Sequence, residues 1–220
     1  MPRMARVVVP DYPHHVTQRG NRKQRTFFRT ADYRAYMRFV AQAKADTGVE
    51  IWAYCLMPNH VHLVVLPREE DSLACLFRHA HRKYTCRINK REDWCGHLWQ
   101  ERFHSFPMDE QHLLAAVRYI ELNPVRAGLC ESPTDWNWSS VHAHCRGEDD
   151  LLVDVAPMLW RVGEWSDYLQ CAESPARLEA LRKHSRSGRP AGSDTFVIEL
   201  ERLTGRKLLK ANARKKGTAK

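Results

Sequence analysis

The stretch Leu56-Met57-Pro58-Asn59-His60-Val61-His62-Leu63-Val64-Val65-Leu66 constrains the chain more than any other. An apolar, β-branched run that ends at Pro67 has the composition of a buried strand. Side chains alternate faces along a strand, so His60 and His62 point one way while Val61 and Leu63 point into the opposite layer. About 6 to 7 Å of backbone separates the two imidazoles, a spacing from which both can reach one metal ion. The alternative is two histidines hydrogen-bonded on the polar face of a sheet. Two other His-x-His pairs serve as controls. His79 and His81 lie in Leu73 to Arg91, which has helical patterning, so they project about 200° apart and cannot share an ion. His142 and His144 follow Trp138-Ser139-Ser140 in a segment with no strand pattern.

Charge has to be located before it says anything. The 220 residues carry a net charge of +9, yet residues 1 to 176 hold 22 Lys/Arg against 22 Asp/Glu. The excess lies behind them, with seven bases and no acid in residues 205 to 220. Within the neutral body, bases cluster: seven with one acid from Arg19 to Arg38, and six with none from Arg78 to Arg91. Such faces suit a phosphate backbone, although a solvated helix edge has the same composition. No apolar run approaches the roughly 18 to 20 residues of a membrane span, and the N-terminus lacks the core of a signal peptide. The expected location is cytoplasmic and nucleoid-associated. Seven scattered cysteines form no C-x-x-C pair, which predicts reduced thiols rather than a zinc knuckle or a disulfide framework.

Along the chain, His14 to Arg19 alternates as a first strand, and Asn21-Arg22-Lys23-Gln24-Arg25 follows as a basic loop. Thr30 is the expected N-cap of a helix over Ala31 to Thr47, with Tyr33, Tyr36, Met37, Val40 and Ala43 as its core stripe. Val49 to Leu56 and the histidine strand form an antiparallel hairpin about Pro58-Asn59. A helix from Ser72 to about Lys90 carries Arg78, Arg82, Lys83 and Arg87 along one positive edge. Leu98 to Phe106 alternates as another strand, with Trp99, Glu101, Phe103 and Ser105 on one face and Gln100, Arg102 and His104 on the other. Asp109 caps a helix over Glu110 to Leu122, which Pro124 stops. Tyr119 and Asn123, four apart, stack on one face of its C-terminal end. A half-buried structural tyrosine is the ordinary reading of that position.

The order β-α-β-β-α-β-α predicts an α+β domain, an antiparallel sheet with packed helices, over residues 1–147. Residues 148–184 read as a helical extension, with Leu159, Trp160, Val162, Trp165, Tyr168 and Leu169 as its apolar face. Residues 185–220 read as a flexible linker, a short helix over Thr195 to Leu203, and a basic tail.

Three ordered motifs, Met57-Pro58-Asn59-His60-Val61-His62, Leu98-Trp99-Gln100-Glu101-Arg102-Phe103 and Arg118-Tyr119-Ile120-Glu121-Leu122-Asn123-Pro124-Val125-Arg126-Ala127-Gly128-Leu129, resemble the single-tyrosine HUH transposases. The nearer resemblance is to the REP-associated tyrosine transposases of bacteria. Trp138-Ser139-Ser140 and Gly188-Arg189-Pro190 are also similar. The resemblance implies a ferredoxin-like core and a metal-dependent single-stranded DNA endonuclease and strand transferase. By motif position His60 and His62 would be metal ligands, Tyr119 the nucleophile and Asn123 the third ligand, where insertion-sequence relatives place a glutamine. The metal would be Mg²⁺ or Mn²⁺. Tyr119 would form a 5′-phosphotyrosine and release a 3′-OH. The substrate would be single-stranded or hairpin DNA of the REP palindrome type. Phosphate contacts are expected from Arg19, Asn21, Arg22, Lys23 and Arg25, from Arg78, Arg82, Lys83 and Arg87, and from Arg102 and Arg126. A monomer is favoured over a dimer. The alternatives are a hairpin-DNA binder that no longer cuts, or a metal nuclease that uses water.

Overall fold

The computed structural model describes residues 6–171 and 175–209. Residues 210–220 of the expected basic tail lie outside them. Four strands, β1 (His14–Arg19), β2 (Glu50–Met57), β3 (His60–Leu66) and β4 (His104–Pro107), form one antiparallel sheet in the order β2-β3-β1-β4. That order, with helices packed on the sheet, is the ferredoxin-like arrangement.

The two faces of the sheet bury different helices. Val61, Leu63 and Val65 of β3 enter a core with α1 (Thr30–Thr47) and α2 (Ser72–Glu92), filled by Tyr36, Val40, Leu73, Phe77 and Tyr84. Val64 and Leu66 enter a second core with α3 (Glu110–Glu121), against Leu113, Val117 and Ile120. The histidine side of β3 is therefore a buried layer under α3, not a polar surface.

Local chemistry sets the element ends. Asp109 accepts from the backbone N–H of His112 and caps α3 as expected. For α1 the cap is Arg29 rather than Thr30, because Asp32 accepts from the N–H groups of Phe28 and Arg29 and fixes the entry one residue earlier. The helix then ends on Gly48 at φ 64°, a left-handed geometry suited to glycine. Pro124 does end α3, but Leu122 leads straight into a second short helix, α4 (Asn123–Arg126), with the proline in its first turn.

The expected strand over Leu98 to Phe106 is realised only at its end. Trp99 makes an isolated bridge to Gly20, and Glu101 turns the chain at φ 53°. The Gln18 amide nitrogen donates to the carbonyls of Gln100 and Glu101, so a side chain takes the place of a ladder there.

Beyond the sheet follow α5 (Val141–Arg146), α6 (Ala156–Leu159), α7 (Trp165–Gln170), α8 (Pro175–Ser187) and α9 (Asp194–Thr204). Leu152, Val153 and Val155 join the first core, and Met158, Val162, Trp165 and Leu169 the second. Trp160, expected on that buried face, is 85% exposed. The segment whose composition reads as a linker is tied down. Ala191 pairs with Met108, exchanges backbone hydrogen bonds with Pro107 and Asp109, and is fully buried. Val197, Leu200 and Leu208 then close over Val7 and Val9 of the N-terminal arm.

Candidate active site

Directly opposed residues in an antiparallel sheet share a face. The register pairs His62 with Thr17 and Cys55, and His60 with Arg19 and Met57. His15 pairs with Val64 and Phe106, and His104 with Thr17. His15, His60, His62 and His104 therefore all leave the sheet on the α3 side. His60 and His62 are there as expected; the register that adds the other two lies outside any one strand's own pattern.

The rings of His60 and His62 stand 4.9 Å apart between centroids, at 77° to each other. Asn59 donates from Nδ2 to the carbonyl of Lys23, which turns its Oδ1 toward His60 Nδ1 at 2.6 Å. An amide oxygen only accepts, so His60 carries its proton on Nδ1 and Nε2 is left as a bare lone pair. His62 Nδ1 is likewise engaged, 3.0 Å from Nε2 of His15. In both rings Nε2 is the nitrogen left without a protein hydrogen bond among the described residues.

Burial, and secondarily the Arg19 charge, pushes the His60 pKa down to about 4. Burial, followed by His60, His15 and Arg19, holds His62 well below the ordinary histidine value. Both rings are neutral at pH 7, which is the metal-binding form of imidazole. A cleft of about 320 Å³ opens over them, bounded by Arg19, Gln100, His104 and Ser185 of α8.

Helix α3 brings Tyr119 to this place. Its ring meets His62 edge to face, with centroids 5.8 Å apart at 83°. The Arg126 guanidinium lies 5.0 Å above the tyrosine ring and donates to the Tyr119 carbonyl, so a positive charge flanks the phenol. Asn123 begins α4 on the next turn and is buried, with Nδ2 unpartnered. No hydrogen bond ties it to either histidine among the described residues. No group of three His, Cys, Asp or Glu able to hold a metal occurs among the described residues, so a metal held by these two imidazoles would need a third donor of another kind. The uncommitted carboxamide of Asn123 has that chemistry.

A buried carboxylate seats α3. Glu121 accepts from Ser140 Oγ at 2.6 Å and Trp165 Nε1 at 2.9 Å, and lies 2.7 Å from His144 Nδ1. Ser139 bridges to Cys55 and the Trp138 carbonyl accepts from Leu56, so the Trp138-Ser139-Ser140 segment pins α3 to β2. His144 is thus a structural partner, and His142 and His144 do not form a ligand pair.

The basic residues fall into three groups. Arg22, Lys23 and Arg25 are exposed on a turn that Asn59 and Pro58 hold beside His60 through Gly20, Lys23, Thr26 and Phe27. Asn21 starts that turn, and Arg19 stands across from His60. Gly20 is required there: a Cβ would come within 2.3 Å of the Gln24 carbonyl oxygen. Arg78, Arg82 and Arg102 surround a separate cavity. Lys83 instead donates to Gln42 of α1, and Arg87 is exposed outside that cavity. Sequence reasoning missed Asn59, His15 and His104 as site residues. Asn59 could have been found as an amide adjoining a histidine in a tight turn.

Comparison with known proteins gives a consistent picture. A family model described as "Transposase IS200 like" matches residues 9–123. An Escherichia coli (strain K12) REP-associated tyrosine transposase is 24% identical over 148 residues, covering 67% of this chain and 83% of the relative. A Haemophilus influenzae protein named for the same group is 31% identical over 122 residues, covering 50% of this chain and 66% of the relative. A solved REP-associated tyrosine transposase bound to a REP hairpin superposes with a TM-score of 0.58 at 23% identity, covering 71% of this chain and 96% of that one.

Proposed function

This chain belongs to the IS200-like transposase family, and from that premise we propose that it is a REP-associated transposase that cuts and rejoins single-stranded DNA beside a hairpin through Tyr119. The observation that carries the reading is the contact of Tyr119 with His62 within one chain, at 5.8 Å between ring centroids. A phenol in ring contact with one of two neutral imidazoles whose Nε2 atoms are free then comes from the same chain, and the reading needs no second copy to supply it. The hairpin is the ligand of the solved relative, and here the exposed arginines and lysines around the cleft suit the same polyanion.

His60 and His62 would hold a divalent cation through Nε2, with the Asn123 amide as third donor. Bound there, the cation would polarise the scissile phosphate and offset charge on the leaving oxygen. Imidazole donors favour a softer ion than Mg²⁺, so Mn²⁺ fits this set better. The Tyr119 oxygen forms a bond to phosphorus as the bond to the 3′-oxygen breaks. The phenol loses its proton and the departing 3′-oxygen gains one. One phosphoester replaces another, so the step is reversible and needs no nucleotide cofactor. Arg126, stacked on the tyrosine, positions the ring and lies beside the incoming phosphate.

The test is incubation with Mn²⁺ and a hairpin bearing single-stranded flanks. A covalent protein–DNA adduct is expected from the parent and none from Tyr119→Phe. Equal cutting by the two proteins would remove Tyr119 from the chemistry and leave a water-using nuclease.

A further inference from the structure

Helix α3 carries Tyr119 on one side and two buried charged residues on another. At about 100° per residue, Arg118 and Glu121 project roughly 100° and 160° round the axis from Tyr119, on a stripe that also holds Leu114. They are 8% and 0% exposed. Both are gripped by α7, which lies outside residues 9–123, the stretch that the family model matches.

Tyr168 takes the Arg118 end. Its hydroxyl accepts from the backbone N–H of Arg118 at 3.1 Å and donates to the carbonyl of Leu114. Those two groups are the ends of one i to i−4 rung, the rung directly before Tyr119. A side chain that enters this ladder sets the local bend of a helix. The Arg118 guanidinium answers from above, 4.9 Å from the Tyr168 ring centre, and donates to the Tyr168 carbonyl at 3.2 Å. Trp165 takes the Glu121 end. Its Nε1 donates to Glu121 Oε2 at 2.9 Å, and its ring stacks at 3.9 Å on His144, whose Nδ1 lies 2.7 Å from Oε1 of the same carboxylate. Neither α7 residue lines the cleft over His60 and His62.

We propose that Trp165 and Tyr168 are positioning residues for the nucleophile: together they fix the bend and roll of the last turn of α3, and so the place of the Tyr119 oxygen. The proposal rests on the function argued above, with Tyr119 as the attacking group. A helix that only stabilised α3 would need no more than apolar burial, which Trp165 and Leu169 already supply in the second core. Here polar bonds converge instead on groups immediately before and two residues after Tyr119. One of those groups is a carboxylate with no access to water, which the fold tolerates only because Ser140, Trp165 and His144 meet it. Such bonds have one geometry, whereas apolar contact tolerates sliding. Attack in line on phosphorus is sensitive to that difference, since a misplacement of about 1 Å can cost about 100-fold in rate.

The experiment uses the full chain with Mn²⁺ and a hairpin from the palindromes flanking this gene, and reads three quantities well below each variant's melting temperature. These are the single-turnover rate of covalent adduct formation at saturating DNA, hairpin affinity without Mn²⁺, and Mn²⁺ affinity without DNA. Tyr168→Phe keeps the ring and removes only the hydroxyl. It is expected to slow adduct formation about tenfold while both affinities stay at the parental value, a split that lost stability alone would not produce. Glu121→Leu and Glu121→Gln give a second reading should the first variant fold poorly. The glutamine oxygen can still accept from Trp165 while its nitrogen donates to Ser140 Oγ and to His144 Nδ1, with the His144 proton moved to Nε2. Glu121→Gln should therefore keep most of the parental rate, and Glu121→Leu should lose about tenfold. A parental rate in folded Tyr168→Phe, affinities that fall in step with the rate, or Glu121→Gln as slow as Glu121→Leu each overturn positioning by α7 while leaving Tyr119 as the nucleophile. No adduct from the parent chain overturns the nucleophile itself and this proposal with it.

Discussion

Among the described residues, His15 has one polar partner, His62. The His15 ring is 1% exposed, its Nε2 lies 3.0 Å from His62 Nδ1, and its Nδ1 has no partner among the described residues. Burial drives its pKa down to about 3, so at neutral pH the contact joins two uncharged rings. Phe106 meets it edge on and fixes its plane, with centroids 5.2 Å apart. Asn59 performs the same service for His60. Hydrogen-bonded partners of this kind fix the orientation of metal-ligating imidazoles, and their loss typically costs 10- to 100-fold in metal affinity. His15→Phe is therefore expected to weaken Mn²⁺ binding to the DNA-free protein by at least about tenfold, read by titration of the Mn²⁺ EPR signal. His15→Gln, which keeps a hydrogen-bonding group at that end, should recover part of the loss. Equal affinity in all three proteins would make His15 a packing residue only.

At the scale of elements, Asp32 holds the entry to α1. It accepts from the N–H groups of Phe28 and Arg29 at 3.0 Å each and pairs with Arg91 near the end of α2. Burial opposes its ionisation, but the Arg91 hydrogen bond and the two backbone donors outweigh it and leave its pKa below the ordinary 3.8. Asp32→Asn should cost about 2 kcal/mol at pH 7, measured by denaturant unfolding. The sign of the pH dependence follows from the depressed value. The contribution is fully present above the unfolded-state pKa and fades as pH falls through the lower folded one, so parent and variant should converge in stability only at pH values below the ordinary carboxylate range. Elements like α1 and α3 were legible because a three-four stripe is an intrinsic property of one segment. The faces of β3 were legible for the same reason, by alternation. The Leu98 to Phe106 strand was overestimated because its pattern is real, Trp99 and Phe103 being core residues, while the ladder is interrupted by the side chain of a different strand, Gln18. His15 and His104 joined the site through inter-strand register, and Trp160 left the expected apolar face through a turn geometry that composition does not encode.

For the whole molecule, the end of the described chain is part of the folded body. Leu208 is 2% exposed in the cluster with Val7, Val9, Val197 and Leu200, and its carbonyl accepts from Arg189 at 2.6 Å. Glu201 accepts from the N–H groups of Leu208 and Leu209, and Arg206 donates to the Arg6 carbonyl. A cut after Thr204 would therefore strip a hydrophobic cluster from the N-terminal arm along with its charge, and any change in DNA binding would confound the two. A cut after Leu209 separates them. Residues 210–220 carry Lys210, Arg214, Lys215, Lys216 and Lys220 and no acid. If all five neutralise phosphates, the slope of log K against log salt should fall by about 4 on their removal, with the melting temperature unchanged. Binding should then weaken at low salt and converge with that of the full chain as salt rises, because released counterions carry the difference. An unchanged slope would place the DNA contacts entirely on the folded body, among Arg19, the Arg22 to Arg25 turn, and the Arg78, Arg82 and Arg102 group.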